Sequence, residues 1–315
     1  MKYAKIGGQA VIEGIMMRNG DDYAVAVRKP DHEIEIKKDV YEGLVSKLNM
    51  RKVPILRGVF AFIDSLVLGM STLTYSAEFY DEDENGESEK DEKKEKLTDK
   101  LMMGFTVILS IVLALGIFMA LPFLASNLFA RFTSSNFILS LIEGIIRIAL
   151  FLLYIVLIAR MKDIQRVFMY HGAEHKTINC IEHGEELTPA NAMKYSRFHK
   201  RCGTSFLLIV VLLCVIVHML FFTFVPVEGT VTKLVIRIAL VPVIAGIAYE
   251  ILQWAGRHQS RLVDIISKPG FCMQKLTTRE PDEEMLEVAI AAIESIYDWR
   301  DFQARVKAGG GDEEQ

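Results

Sequence analysis

Cysteine is scarce in this chain: its 315 residues include four, at positions 180, 202, 214 and 272. Cys214 lies in a long apolar run and the other three lie in segments that we place in the cytosol, so a disulfide framework is not expected. Basic residues are not in excess either, and the formal net charge of −4 gives no support for a nucleic-acid partner. The N-terminal stretch MKYAKIGGQAVIEG lacks the apolar run of a signal peptide, and we expect it to stay in the cytosol.

Apolar residues are plentiful, at 51% of the chain. Four blocks have the length of about 20 residues that a helix needs to cross about 30 Å of hydrocarbon: 101–125, 137–160, 204–225 and 231–252. Lys and Arg are concentrated in 161–203 and after 254, so the positive-inside rule places both termini and the 161–203 segment in the cytosol. The sequence therefore predicts a mainly α integral membrane protein, a four-helix transmembrane bundle in a bacterial cytoplasmic membrane.

Residues 1–52 form a cytosolic N-terminal region without a spanning block. Ala alternates with Val within residues 23–28, and charged residues alternate with Ile within residues 33–37. The two stretches lie on either side of a Pro-Asp-His turn, which predicts a β-hairpin. Ahead of it, glycines bracket Glu13, and this pattern fits either a bulged strand or a site that includes Glu13. Residues 53–80 form an apolar helix with basic residues beyond both ends, so we expect it to lie at the interface or pack on the bundle.

The remaining segments complete the domain organisation. Residues 81–98 are rich in acidic residues and Lys and predict a disordered charged linker. Residues 99–268 form the membrane domain, including the cytosolic His-rich loop 161–203. Residues 269–315 form a cytosolic tail with an amphipathic helix over 281–299, for which Thr278 is a plausible cap.

The His-rich loop contains an H-x-x-E-H pattern made by His171, Glu174 and His175. Residues four apart on an α-helix share a face, so both imidazoles point the same way with the carboxylate beside them. The pattern is the inverse of the H-E-x-x-H of zinc proteases, in which two histidines bind zinc and the glutamate acts on water. We therefore predict a divalent cation, zinc before iron or manganese, on His171 and His175, with Glu174 as the base.

A third ligand must come from another segment. Glu182 lies seven residues after His175, on the order of 10 Å along a straight helix, which is too far to share an ion with both histidines. The groups with suitable chemistry are His199, Cys202, Glu13 and Asp264. We favour His199, because a short helix starting at Thr188 and Pro189 allows the chain to fold back.

Other interpretations stay open. The histidine pair could simply mark a helix end at the membrane surface. Cys202, at an expected helix N-terminus beside Arg201, could serve as a nucleophile with His199, as a metal ligand or as a reduced structural cysteine. A second polar set inside the apolar blocks is expected to tie helices together as an ion-pair network, or to line an ion or substrate path: Glu143, Arg147, His218 and Arg237.

Four segments resemble the bacterial YqhQ-like membrane family: GGQAVIEGIMMR, YHGAEHKTINCIEHG, HKRCGTSFLLIV and PGFCMQKLTTREPDEEMLEVAIAA. The resemblance covers nearly the whole chain. That family has no known function and is described as a predicted metal-dependent enzyme, so the resemblance implies an integral membrane protein and a metal site without supplying a reaction. The candidate residues that stand in these segments include His171, Glu174, His175, His199 and Cys202.

The sequence thus predicts a membrane-embedded metal-dependent hydrolase that uses metal-activated water at the cytosolic face of the membrane. Its expected substrate is lipid-linked or a membrane protein. The alternative is a non-enzymatic scaffold or small transporter whose histidines are structural or sense metal. Neither the identity of the substrate nor oligomerisation follows from the sequence.

Overall fold

The computed structural model describes residues 3–81, 92–258 and 260–308. It opens on a four-stranded antiparallel sheet of order β1-β2-β3-β4, with strands β1 (Gly7–Val11), β2 (Gly14–Asn19), β3 (Asp22–Arg28) and β4 (Ile34–Val40). The predicted hairpin is β3 and β4, with Arg28 paired to Ile34. The sheet is larger than predicted, because the glycine-bracketed stretch around Glu13 forms a second hairpin, β1 and β2.

Helices make up most of the remaining described chain. They are α1 (Leu44–Lys47), α2 (Leu56–Asp81), α3 (Glu92–Leu115), α4 (Leu121–Asn127), α5 (Asn136–Ile158), α6 (Lys162–Glu182), α7 (Pro189–Met193), α8 (Gly203–Phe224), α9 (Thr230–Arg257), α10 (Arg261–Thr277), α11 (Glu283–Ile296) and α12 (Trp299–Lys307). A π-helical turn, Gly116–Ala120, joins α3 to α4. The predicted linker 81–98 falls mostly on residues 82–91, which lie outside the described residues, but its end belongs to α3.

In the part of the chain that the structure describes, five stretches of helix are long and apolar enough to cross a membrane: Leu56–Tyr80, Gly104–Arg131, Asn136–Ile158, Phe206–Phe224 and Thr230–Ala255. The last four coincide with the predicted blocks and are compatible with a multi-pass membrane protein. The predicted count of four is not matched. Leu56–Tyr80, which we expected to lie at the interface or to pack on the bundle, meets the same criteria of length and composition because few charges interrupt it.

Helix α2 has a different partner at each end. Near its start, Gly58 lies so close to α9 that a Cβ there would be 2.9 Å from the carbonyl of Gly246, and Arg57 forms an ion pair with Glu250. Towards its end, Leu68 is buried on one face of the sheet in a cluster with Val11, Met16, Tyr23, Val25 and Val27. Helix α2 therefore joins the sheet to the apolar helices.

The other face of the sheet packs on α6 and α11. Side chains alternate across a strand, so Ile15 and Met17 of β2 face these helices while Met16 faces α2. The sheet and both helices share one core with Tyr170, Ala173, Ile178, Met285, Leu286 and Ala289. Helix α6 is consequently buried along most of its C-terminal half.

The structure adds detail to three predicted segments. The His-rich loop 161–203 is largely helical, since α6 fills its first half, and α7 then starts with Thr188 as its N-cap, as expected. The boundary placed at 268/269 falls inside α10, which continues through Pro269. The closing amphipathic helix is α11, capped by Asp282 rather than Thr278, because the Asp282 side chain accepts the amide of Met285 at 2.8 Å.

The polar set inside the apolar helices is brought together as expected. Glu143 accepts from Arg147 and from Arg237, each at 2.6 Å, and Arg147 lies 2.9 Å from Nδ1 of His218. All four side chains are buried. The contacts join α5, α8 and α9, which is what a structural ion-pair network requires.

Candidate metal centre

Helix α6 carries both histidines of the H-x-x-E-H pattern on one face. The centroids of the His171 and His175 rings are 4.5 Å apart. His175 is 1% exposed, because α6 is covered by the sheet, by α11 and by the segment that leads into α8. The helical spacing that we predicted is therefore present in a buried setting.

Backbone carbonyl groups fix the orientation of both rings. Nδ1 of His171 lies 2.8 Å from the carbonyl oxygen of Thr277, and Nδ1 of His175 lies 2.6 Å from that of Arg197. A carbonyl oxygen can only accept, so each Nδ1 carries the proton and each Nε2 carries a lone pair in place of a proton. Metal-binding histidines are commonly held in this way by a second hydrogen bond.

Cys202 completes a group of three ligand atoms. Its Sγ lies 3.1 Å from Nε2 of His171, and the ligand atoms of His171, His175 and Cys202 all lie within 4.8 Å of one another. Nε2 of His175 is buried and forms no hydrogen bond of regular geometry in the described part of the chain, and the Cys202 sulfur interacts with this ring. A buried polar atom without a partner costs free energy, and a cation among the three ligands would remove that cost. Two imidazoles and a thiolate are a donor set that suits zinc.

Cys202 stands where the sequence predicted, at the N-terminus of a helix. It is the N-cap of α8, and its Sγ accepts the amide of Thr204 at 3.4 Å. The histidine in contact with this sulfur is His171, however, and not the nearby His199 that the nucleophile hypothesis paired with it.

Glu174 lies beside this group and is 6% exposed. Burial raises the pKa of its carboxyl, while His171, His199 and the backbone N–H of Gly8 act in the opposite direction. Burial also lowers the pKa of His175, which favours the neutral imidazole that a metal binds. Strand β1 can reach Glu174 because Gly8 has no side chain: a Cβ there would lie 3.0 Å from the carboxyl carbon.

His199, our favoured third ligand, is adjacent to the group but not part of it. Its ring centroid is 5.8 Å from that of His175, and its Nε2 lies 3.3 Å from Glu182. Gln274 holds the backbone of His199 through two hydrogen bonds. Glu182 is in turn bonded to Arg201 at 2.6 Å and to the Ala4 amide at 2.9 Å. The structure thus brings Cys202, three residues further along, to the histidine pair.

The two other candidates lie apart from the three ligand atoms. Glu13 occupies the turn between β1 and β2, with a positive φ of 47°, and pairs with Arg166. Asp264 belongs to α10, and its side chain is outside the described residues. Sequence reasoning missed the roles of Thr277 and Arg197, because every residue type has a carbonyl and no sequence signal marks these two.

Two clefts open onto the candidate centre. The larger, of about 640 Å³, is lined by His171 and Glu174 together with residues of β1 and α2, among them Gly7, Gly8, Ala10 and Leu68. The smaller, of about 250 Å³, is lined by Glu174, His175, His199 and Cys202. The larger cleft has the size of a small-molecule or peptide subsite.

The chain belongs to the family described as "Protein of unknown function (DUF1385)", which matches residues 53–299. A relative from Bacillus subtilis (strain 168), described as "Uncharacterized protein YqhQ", is 35% identical over 295 residues, which cover 92% of this chain and 91% of the relative. No solved structure matches. The family resemblance is therefore confirmed, and neither description assigns a reaction.

Proposed function

We propose that this protein is a membrane-embedded metal-dependent hydrolase whose centre lies at the cytosolic face of the membrane. One observation carries the proposal: Nε2 of His175 is buried without a hydrogen bond in the described part of the chain, and one ligand atom each of His171, His175 and Cys202 lies within 4.8 Å of the other two. The acidic side chain needed for proton transfer, Glu174, lines both clefts at that point. The cytosolic placement rests on the distribution of Lys and Arg between the apolar blocks.

His171, His175 and Cys202 would hold the ion, and zinc fits this donor set best. When bound, zinc supplies a Lewis acid that polarises a carbonyl or phosphoryl oxygen and acidifies water.

The residues of the chain supply the rest of the chemistry. The Glu174 carboxylate accepts a proton, and its hydrogen bond from Gly8 fixes its position. The carbonyls of Thr277 and Arg197 keep both imidazoles in the tautomer that presents Nε2. The sheet and α11 exclude bulk water from the far side of α6.

The larger cleft supports a substrate that reaches the centre from the membrane. Leu68 in its wall belongs to α2, the helix whose start packs on the apolar helix α9 and whose end packs on the sheet. A substrate presented beside α2 would be lipid-linked or a membrane protein.

A scaffold or transporter role is the second candidate, and one contact favours it. His171 already has both ring nitrogens satisfied, by Thr277 and by Cys202. A cluster with purely structural histidines would look the same at that residue, although it leaves Nε2 of His175 unexplained.

Metal analysis of the purified protein separates the two. We expect about one zinc per chain, lost in His175→Ala and in Cys202→Ala because each removes one of three ligands. His183→Ala is the matched control, since His183 follows the same helix, is exposed and bonds to its own helix through the carbonyl of Asn179. Wild-type protein that holds no metal after purification with zinc present would rule out the hydrolase.

A further inference from the structure

Strand β1 is an edge of the sheet, and its outer side faces the candidate centre. The hairpin register pairs Val11 with Gly14 and Gln9 with Met16 around a two-residue turn. The residue pair that closes such a turn is hydrogen-bonded, and hydrogen-bonded pairs alternate along an antiparallel ladder. Gly8, Ala10 and Ile12 therefore direct their backbone N–H and C=O groups away from β2.

Two of these three outward amides are occupied. The N–H of Gly8 donates to Glu174, and the N–H of Ile12 donates to Oγ of Ser76 at 3.1 Å. Ala10 lies between them. Within residues 3–81, 92–258 and 260–308, no group bonds to its N–H or to the carbonyls of Gly8 and Ala10.

The residues that carry these free backbone groups line the larger cleft. Gly7, Gly8 and Ala10 belong to its wall, together with Glu174 and His171. A Cβ at Gly7 would meet nothing within 4 Å, so the wall at this point is open backbone. A two-residue step along a strand is about 6.6 Å, which places the free groups of Ala10 that far from the amide that holds Glu174.

We propose that the larger cleft binds an extended polypeptide segment, which adds to β1 as a further strand at Ala10. This deepens the hydrolase proposal, on which it rests, by naming the substrate as a polypeptide. A residue of an extended chain offers one donor and one acceptor to the same partner residue, which matches Ala10. A lipid headgroup supplies acceptors for the N–H of Ala10 but no regularly spaced donors for the carbonyls of Gly8 and Ala10.

The paired residue would lie one or two residues from the bond that is cut, because of the spacing between Ala10 and Glu174. The reaction is hydrolysis of an amide. The C–N bond breaks, the hydroxyl of water joins the carbonyl carbon, and Glu174 carries the proton from water to the leaving nitrogen. Water is the only co-reactant.

The test uses the full-length, zinc-loaded protein in lipid nanodiscs and four hydroxamates, which are zinc-binding groups. The probes are acetohydroxamate, octanohydroxamate, and two tripeptide hydroxamates of apolar residues with the hydroxamate at either end. We expect at least one tripeptide hydroxamate to bind at least tenfold more tightly than acetohydroxamate and octanohydroxamate. Isothermal titration calorimetry gives each dissociation constant.

A change in the protein and a matching change in the tripeptide test whether the tripeptide pairs with Ala10. Ala10→Pro removes the free N–H on the outer side of an edge strand, where proline is tolerated, and should weaken tripeptide binding about fivefold to tenfold, the worth of one hydrogen bond. Zinc content and acetohydroxamate binding report on the metal ligands alone and should not change. Esters that replace single amides of the tripeptide should show the same loss in wild-type protein, which keeps the test available if Ala10→Pro does not fold.

Each contrary result has one meaning. If the tripeptides bind no more tightly than acetohydroxamate, or if octanohydroxamate binds more tightly than both, the polypeptide inference is wrong and the metal centre stands. If acetohydroxamate does not bind although zinc is present, the hydrolase proposal fails, and the inference with it.

Discussion

Glu174→Gln separates proton transfer from metal binding. Glutamine keeps the shape of the side chain and still accepts the N–H of Gly8, but it cannot take up a proton near neutral pH. None of the three ligand atoms is altered. Burial already raises the pKa of the Glu174 carboxyl, so a neutral side chain at this position should cost little folding free energy.

We therefore expect near wild-type zinc content and thermal stability, with a loss of at least about 100-fold in rate, or about 2.7 kcal/mol in the barrier. The assays are metal analysis, thermal melting, and rescue of the growth or envelope defect of a deletion strain. Glu186→Gln, a change at an exposed glutamate beyond the same helix, is the matched control and should rescue fully. His175→Ala should lose zinc and rescue together. Full rescue by Glu174→Gln would show that this carboxylate is not the proton acceptor and would favour the scaffold.

Three further predictions concern topology and stability. The topology test introduces a cysteine at Glu185 in a Cys272→Ser background, which removes the exposed native thiol. An impermeant maleimide should label this cysteine only after the cells are opened. Labelling of intact cells would place the centre in the other compartment. Gly172→Ala should lower the melting temperature by an amount equivalent to about 1–3 kcal/mol, because the added Cβ would overlap the carbonyl oxygen of Arg279. Gly104→Ala is the control and should be neutral or stabilising, because a Cβ there meets nothing within 4 Å. Equal stability of the two variants would refute the close contact of α6 with Arg279. Burial raises the pKa of the Cys180 thiol to about 11, above its value in the unfolded chain, so the contribution of this thiol to stability is complete below about pH 9 and is lost as the pH rises towards 11. Wild-type protein should therefore lose more thermal stability than Cys180→Ala between pH 8 and 10.5. Equal losses in the two proteins would contradict this prediction.

The sequence predicts the parts of this fold that depend on local periodicity. Long apolar blocks mark α5, α8 and α9, and the spacing of His171 and His175 puts both on one face of α6, because length and helical period are properties of neighbouring residues. The sequence predicts the hairpin of β1 and β2 less clearly, because Gly7, Gly8 and Gly14 lack the side chains that mark a strand.

The third ligand depends on how distant segments meet, and no local pattern decides it. His199 and Cys202 are three residues apart in a segment that is largely irregular, so either could have been turned towards α6. The two hydrogen bonds from Gln274 of α10 and the N-cap position at the start of α8 decide the outcome. The sequence does not predict the packing of α2 for a similar reason, because the apolar side chains of this helix contact α9 near its start and the sheet towards its end.

The carbonyl that holds His171 belongs to Thr277, 106 residues further along the chain, and the amide that holds Glu174 belongs to Gly8, near the N-terminus. A ribosome that has just released α6 has therefore made both histidines and the glutamate but not the groups that orient His171. The centre can be completed only when α8 and α10 have been synthesised and have returned to α6. On the proposed function, zinc acquisition would be a late step of biogenesis, and a nascent chain that stalls before Thr277 would leave its histidines unoriented and open to quality-control proteases.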